Sequence, residues 1–288
     1  MIYDCFLYYD EDMLLDIRLN TLSAVVDRFV IVESTHTFTG LPKPLNFDSK
    51  KFDAFKDKII YIIYDEKPIF KEDGHVDAWV NEEHTRNAIM RGLKNASDSD
   101  LVIISDIDEI PSPDSILKVD SSRLCTTMIM NFYNYQFNLQ VFNADGQPRL
   151  WELPRATSFK NLKGFFEGSP ETLRNIKKSK IKSNFLKWNV FKFFNKKIPN
   201  AGWHFSWIMT PDRISEKMNS ISHTEYNLPE FNNKAHIIDA LEKGKDIWGR
   251  ERVMRKMALG EQLPDYLVKN RERFREFILY PPPLHRGD

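Results

Sequence analysis

LVIISDIDEIP, residues Leu101 to Pro111, is the stretch that decides the fold. Its four leading apolar residues, Leu101 to Ile104, read as a strand of a parallel sheet buried on both faces. Ser105 ends that strand. Asp106, Asp108 and Glu109 then set three carboxylates within four positions, and Pro111 turns the chain. Open α/β sheets bind ligands beyond the carboxyl ends of their strands, so these side chains fall where a crevice belongs. Crowded carboxylates repel and call for a cation, and oxygen ligands suit Mg²⁺ or Mn²⁺. Such an ion grips a diphosphate, which makes a nucleotide-bound substrate the expected ligand. Upstream, Arg86 and Asn87 lie on the helix leading into this strand, and an arginine beside a metal site can pair with phosphate bidentately.

The rest of the composition narrows the class. A chain of 288 residues that is 42% hydrophobic can bury a large core. Its formal net charge of zero argues against a general nucleic-acid binder. The charge is unevenly spread, with 13 Lys+Arg against 24 Asp+Glu in residues 1–120, and 12 against 2 in residues 155–200. An acidic half with a metal site and a basic middle could together clamp a metal–diphosphate; a solvated basic face is the plainer reading. The two cysteines, Cys5 and Cys125, both lie in apolar runs and read as core residues rather than a disulfide, which suits a reducing compartment. Met1 opens almost directly onto a strand, and no apolar run nears the ~20 residues that span a bilayer. The expectation is therefore a cytoplasmic protein with no transmembrane segment.

Along the chain, Ile2 to Tyr9 reads as a first strand, with Asp10 as N-cap of a helix from Glu11 to about Leu22. Phe29 to Glu33 and Lys58 to Tyr64 read as strands, and Trp79 to Lys94 as a helix. This rhythm argues a mainly parallel α/β sheet in the first half. Residues 125–160 read as strands, antiparallel in character. Residues 161–200 are basic and resist parsing. Helices return from about Asn232 to Lys245 and again after Trp248. No repeat or long linker breaks the chain, so residues 1–288 are expected to form a single domain.

An Arg-Asn on a helix, an apolar strand and then Asp-X-Asp resembles the nucleotide-sugar domain of GT-A glycosyltransferases. MIYDCF at the start, ESTHTFTGLPKPLNF, SDIDEIP, and GWHFSW at Gly202 to Trp207 resemble glycosyltransferase family 17, over roughly residues 1–250. The resemblance implies a GT-A α/β fold. A mainly parallel, Rossmann-like sheet would be flanked by helices, with a nucleotide-sugar half over 1–120 and a smaller antiparallel acceptor-side region with C-terminal helices over 121–288. It implies a UDP-sugar donor, most readily UDP-N-acetylglucosamine, a glycan acceptor, and Mn²⁺ or Mg²⁺. Asp108 and His204 would hold the metal, a neutral imidazole suiting Mn²⁺. Asp106 would face the ribose or a metal-bound water. Glu33, and Asp10 or Glu11, would serve the nucleotide, Lys43 is a weaker phosphate contact, and Trp151, Trp203 and Trp207 are candidate platforms for sugar rings.

A metal acting as Lewis acid makes UDP a good leaving group, and a carboxylate must take the acceptor's proton. Attack opposite UDP inverts the anomeric centre and gives a β-linkage. Glu152, Glu167, Asp212 and Glu225 are the candidate bases, with Glu167 in GFFEGSP ranked first and Glu225 close behind. A metal-dependent phosphohydrolase or nucleotidyltransferase also sets paired carboxylates after a buried strand. Yet an aspartyl-nucleophile phosphatase usually follows Asp-X-Asp with Thr, and here Glu109-Ile110-Pro111 follows instead. A non-catalytic carbohydrate-binding relative is the other alternative, and intact Asp106, Asp108, Arg86 and His204 argue against it.

Overall fold

The computed structural model describes residues 1–220, 227–260 and 262–279. Its strands are β1 (Ile2–Leu7), β2 (Arg28–Ser34), β3 (Ile59–Tyr64), β4 (Leu101–Ile104), β5 (Glu109–Pro111), β6 (Cys125–Met128) and β7 (Met130–Asn134). They continue as β8 (Leu139–Phe142), β9 (Leu150–Trp151), β10 (Arg155–Ser158), β11 (Asn195–Ile198), β12 (Gly202–Ser206) and β13 (Val253–Lys256). One sheet runs β11-β6-β10-β4-β1-β2-β3. Its β4-β1-β2-β3 half is wholly parallel, while β10 lies antiparallel between β4 and β6. A second sheet runs β13-β8-β7-β12-β5, with β9 also on β7; it is antiparallel except at β7-β12. This is the α/β architecture expected of a GT-A fold.

Strand alternation explains the layers. Leu101 and Ile103 of β4, with Phe29 and Ile31 of β2, face a core shared with helix α1 (Asp12–Leu22) and the second sheet. Val102 and Ile104, with Val30 and Val32, face the opposite core, which Ala88, Ile89 and Leu93 cover from helix α2 (Ala78–Asn87) and the turn after it. Both faces of β2 and β4 are thus buried, which is why they read as unbroken apolar runs, while β3 at the sheet edge is only partly buried. Cys5 and Cys125 are both free and buried among these residues.

The chain crosses between sheets at the decisive stretch. After β4, Glu109 N–H donates to the Asp106 carbonyl at 3.0 Å and the Glu109 carboxylate accepts from Asp106 N–H at 2.8 Å, closing a tight turn. Glu109 to Pro111 then joins the second sheet as β5. Gly202 lets β12 approach it: φ is +147°, and a Cβ there would lie 2.2 Å from the Ile110 carbonyl oxygen.

Three expectations are corrected. Asp10 does not cap α1; the cap position is Glu11, whose carboxylate accepts from the Tyr9 and Asp10 N–H groups, while Asp10 pairs with Arg213. After Trp248 the chain forms strand β13 before any helix, because it edges the second sheet beside β8. Within residues 125–160, β6 and β10 join the first sheet, and only β7 to β9 build the second. The basic stretch that resisted parsing forms short helices, Pro170–Arg174, Lys180–Ser183 and Phe185–Phe194, followed by β11.

Candidate active site

A cleft of about 680 Å³ opens between the two sheets, within the size range of small-molecule sites. One wall is built from the carboxyl ends of β1, β2 and β4, through Tyr8, Ser34 and Asp106, as the crevice rule for open sheets requires. The facing wall comes from the second sheet and the residue just past β12, including Phe132, His204 and Trp207.

Strand pairing places the histidine. The β5-β12 register sets His204 opposite Glu109, and Phe205 N–H donates to the Asp108 carbonyl at 2.7 Å. His204 therefore lies alongside Asp108, packed between Phe132 and Trp151 at ring-centroid distances of 4.6 and 4.4 Å. Its Nε2 is 3.6 Å from Asp108 Oδ2, too far for a hydrogen bond, and its buried Nδ1 has no hydrogen-bond partner among the described residues. Two ligands each about 2.1 Å from one ion stand roughly 3 to 3.5 Å apart, so this spacing fits an ion held between them. Ligand atoms of Asp108, Glu109 and His204 all lie within 4.8 Å of one another.

Asp106 and Glu109 are already engaged. The Asp106 carboxylate is gripped by Arg86 at 2.6 Å and by Arg174, and Arg174 also holds Glu109. Glu109 further accepts from the Trp151 indole N–H. Burial pushes the Asp106 carboxyl up, but Arg174 and Arg86 outweigh it and hold it well below the usual range. For Asp108 burial is likewise outweighed, here by His204 and Lys217, and its carboxyl is held low. Glu109 goes the other way: burial wins over Arg174 and raises it. Arg86 also binds Glu82 and Glu171, so two guanidiniums pair with four carboxylates, and Asp108 adds a fifth beside them. Asp106, Asp108 and His204 all line the cleft, and a carboxylate beside an imidazole is a donor set that suits a divalent cation.

The remaining sequence-derived residues divide. Asp10, Glu11, Lys43 and Trp151 line the cleft, as do Asp106, Asp108, Arg86, His204 and Trp207. Arg86 is 1% exposed and shared among three carboxylates, so it shapes the Asp106 turn rather than presenting an open fork to phosphate. Asn87 does not line the cleft; its side-chain oxygen accepts from Ser169 and from Glu171 N–H, anchoring the helix Pro170–Arg174 that carries Arg174. Glu33 is fully buried behind the wall, where it accepts from Lys43, Tyr61 and the Asn46 and Phe47 N–H groups and pins the Thr35–Phe47 loop. Trp203 packs against the core, its indole N–H donating to the Gln262 carbonyl at 2.5 Å. Trp207 reaches the cleft, with φ at +57° and its ring 5.1 Å from that of Trp248; a bulky side chain in this conformation is strained. Glu167 is not brought to the cleft: it sits on an exposed turn, also at positive φ, and pairs with Lys187. Glu152 pairs with Lys197, and Asp212 with Lys234. Glu225 lies outside the described residues.

Two arginines that carry much of this geometry escaped the sequence reading. Arg18 on α1 binds Asp4 through two nitrogens and donates to the Asp106, Ile107 and Glu109 carbonyls. Arg174 stands at the head of a lysine-rich run. No local signal marks either, since an arginine on a short or amphipathic helix reads as solvated until its partners are known.

The family model described as "Glycosyltransferase family 17" matches residues 1–156. The chain is also similar to proteins named β-1,4-mannosyl-glycoprotein 4-β-N-acetylglucosaminyltransferase from Rattus norvegicus, Mus musculus and Homo sapiens. It is 25%, 24% and 25% identical to them over 297 aligned positions, covering 93% of this chain and 52%, 52% and 53% of theirs. The chain thus spans about half the length of the curated relatives it matches. The expectation of a cytoplasmic protein is corrected by these relatives, which are named for a mannosyl-glycoprotein substrate, a molecule of the secretory route rather than of the cytoplasm. What the structure adds is only that no helix among the described residues is long and apolar enough to cross a membrane.

Proposed function

This chain belongs to glycosyltransferase family 17, and from that premise we propose that it moves N-acetylglucosamine from a UDP donor to a glycan hydroxyl with inversion, giving a β-linkage. The reading rests above all on Asp108 and His204, set side by side 3.6 Å apart in the cleft with no hydrogen bond joining them. A divalent ion held there, Mn²⁺ or Mg²⁺, would act as a Lewis acid on the departing diphosphate.

The chain's own residues supply the rest. Residues 1–120 form the nucleotide-sugar half of one domain, and residues 121–288 its acceptor side. The donor lies along the strand ends, with Tyr8 to Glu11 and Ser34 to Thr37 beside the nucleoside. Asp106, held ionised by two guanidiniums, fixes the turn that presents Asp108. Trp207 and Trp248 offer ring faces on the acceptor side, where Lys217 stands 5.3 Å from the Trp207 ring. Glu225 takes the acceptor's proton; it comes after the helix Pro211–Ser220, whose Arg213, Glu216 and Lys217 line the cleft. Glu167 is not carried forward, because its carboxylate is away from the cleft and 61% exposed.

The test is turnover: UDP release from UDP-N-acetylglucosamine with Mn²⁺ and a panel of glycan acceptors. Metal-dependent release with a β-linked product supports the reading. Phosphate release from nucleotides without sugar transfer would replace it with hydrolysis.

A further inference from the structure

The helix Phe185–Phe194 turns an apolar face to solvent. Phe185, Leu186, Val190, Phe193 and Phe194 are 76%, 75%, 42%, 80% and 43% exposed. At 100° per residue these five fall on one half of the helix, with the half-buried Asn189 the one polar residue among them, while Trp188 and Phe191, which pack inward, fall on the other. Lys187 and Lys192 lie at the two borders between these halves. Scattered surface apolar residues need no explanation, but three phenylalanines, a leucine and a valine gathered on one half of a ten-residue helix do.

The charge around this face says what covers it. Residues 177–197 contain eight lysines and no acidic residue. Glu167 and Glu152 neutralise one lysine each, Lys187 and Lys197, which leaves a clear positive excess. Aromatic residues on one face bordered by lysines are the pattern of a helix that lies in the plane of a bilayer interface. There the rings enter the headgroup boundary and the ammonium groups meet anionic lipid. A second copy of this chain would bring the same eight lysines against themselves, which disfavours a symmetric pairing through this face.

We propose that Phe185–Phe194 and its flanking lysines form a docking surface for an anionic lipid bilayer. The same basic segment starts at the cleft, since Lys178 lines it and lies 4.2 Å from the Trp79 ring, so docking holds the cleft rim near the membrane. This is independent of the sugar-transfer reading, because no residue of the apolar face lines the cleft.

Flotation of the purified protein with phosphatidylcholine vesicles, with and without phosphatidylglycerol, tests it. The expected result is co-flotation with the anionic vesicles only, weakened by salt. Phe185→Ser/Phe193→Ser and Lys182→Glu/Lys192→Glu should each lose about tenfold or more in vesicle affinity. Their thermal unfolding and UDP-sugar binding should be unchanged, since these side chains are exposed. No flotation with either vesicle, or equal flotation of the variants, would overturn the proposal. So would a dimer in sedimentation equilibrium that Phe185→Ser/Phe193→Ser dissolves, which would make the face an interface between copies.

Discussion

Replacing Arg18 by methionine should cost more stability than any surface change in this protein. Arg18 is fully buried and makes six hydrogen bonds: two to Asp4, one to Ser105 Oγ, and one each to the Asp106, Ile107 and Glu109 carbonyls. Methionine fills similar volume but leaves the Asp4 carboxylate buried without its cation. Breaking a buried pair in this way costs about 3–5 kcal/mol, and a buried carbonyl left unpaired adds about 1–3 kcal/mol unless water reaches it. At about 2–4 °C per kcal/mol for a domain near this size, the midpoint of thermal unfolding should fall by roughly 6 °C at least. Chemical denaturation of Arg18→Met, Asp4→Leu and the double variant measures the coupling. The double variant should be more stable than the sum of the singles predicts, by about 2 kcal/mol or more, because no charge is then stranded. Because Arg18 also clamps the Asp106 turn, donor affinity should fall in Arg18→Met even where the protein stays folded. Arg18→Met within about 1 kcal/mol of the parent, or strict additivity, would refute this view of the turn.

Gly202→Ala should unfold at markedly lower denaturant, since its Cβ would meet the Ile110 carbonyl at 2.2 Å and force β12 off β5, taking His204 with it; an unchanged midpoint would show that the strands can part without cost. Burial pushes the Cys125 thiol from 9.0 up to about 12, so the folded protein keeps a proton that the unfolded chain loses. Stability should therefore fall between about pH 9 and 12 by up to about 1.4 kcal/mol per pH unit from this group, and Cys125→Ala should show a shallower alkaline slope in urea titrations across that window. Glu167→Gln should leave kcat unchanged while Glu225→Gln lowers it at least about a hundredfold, as for loss of a general base; the reverse ranking in acceptor-saturated assays would return the role to Glu167.

Much of this arrangement was legible in the chain. The unbroken Leu101–Ile104 run marked a strand buried on both faces, and the carboxylates after it marked the cleft, because both follow from local pattern and the crevice rule. Family membership bears out the expectation of a glycosyltransferase. What sequence could not supply was partnership at long range. The sequence neighbourhoods of Asn87, Glu33 and Trp203 suggest ligand contacts, yet each is spent on the protein itself: Asn87 on Ser169, Glu33 on the 35–47 loop, Trp203 on the core. Arg174 was invisible for the converse reason, since its two carboxylate partners lie 65 and 68 residues away. Glu167 drew notice from its glycines and aromatics, which turn out to shape an exposed turn at positive φ rather than a catalytic loop.

The central claim is that Asp108, with His204, holds the ion that secures the donor. Calorimetric titration of UDP-N-acetylglucosamine, beside other UDP- and GDP-sugars, into the parent protein and Asp108→Ala, each with and without Mn²⁺, tests it most directly. The parent should bind a UDP-sugar tightly only with Mn²⁺, and Asp108→Ala, with an unchanged circular dichroism spectrum, should lose that metal-dependent binding. Equal donor affinity in Asp108→Ala and the parent, or binding that ignores the metal, would contradict the claim.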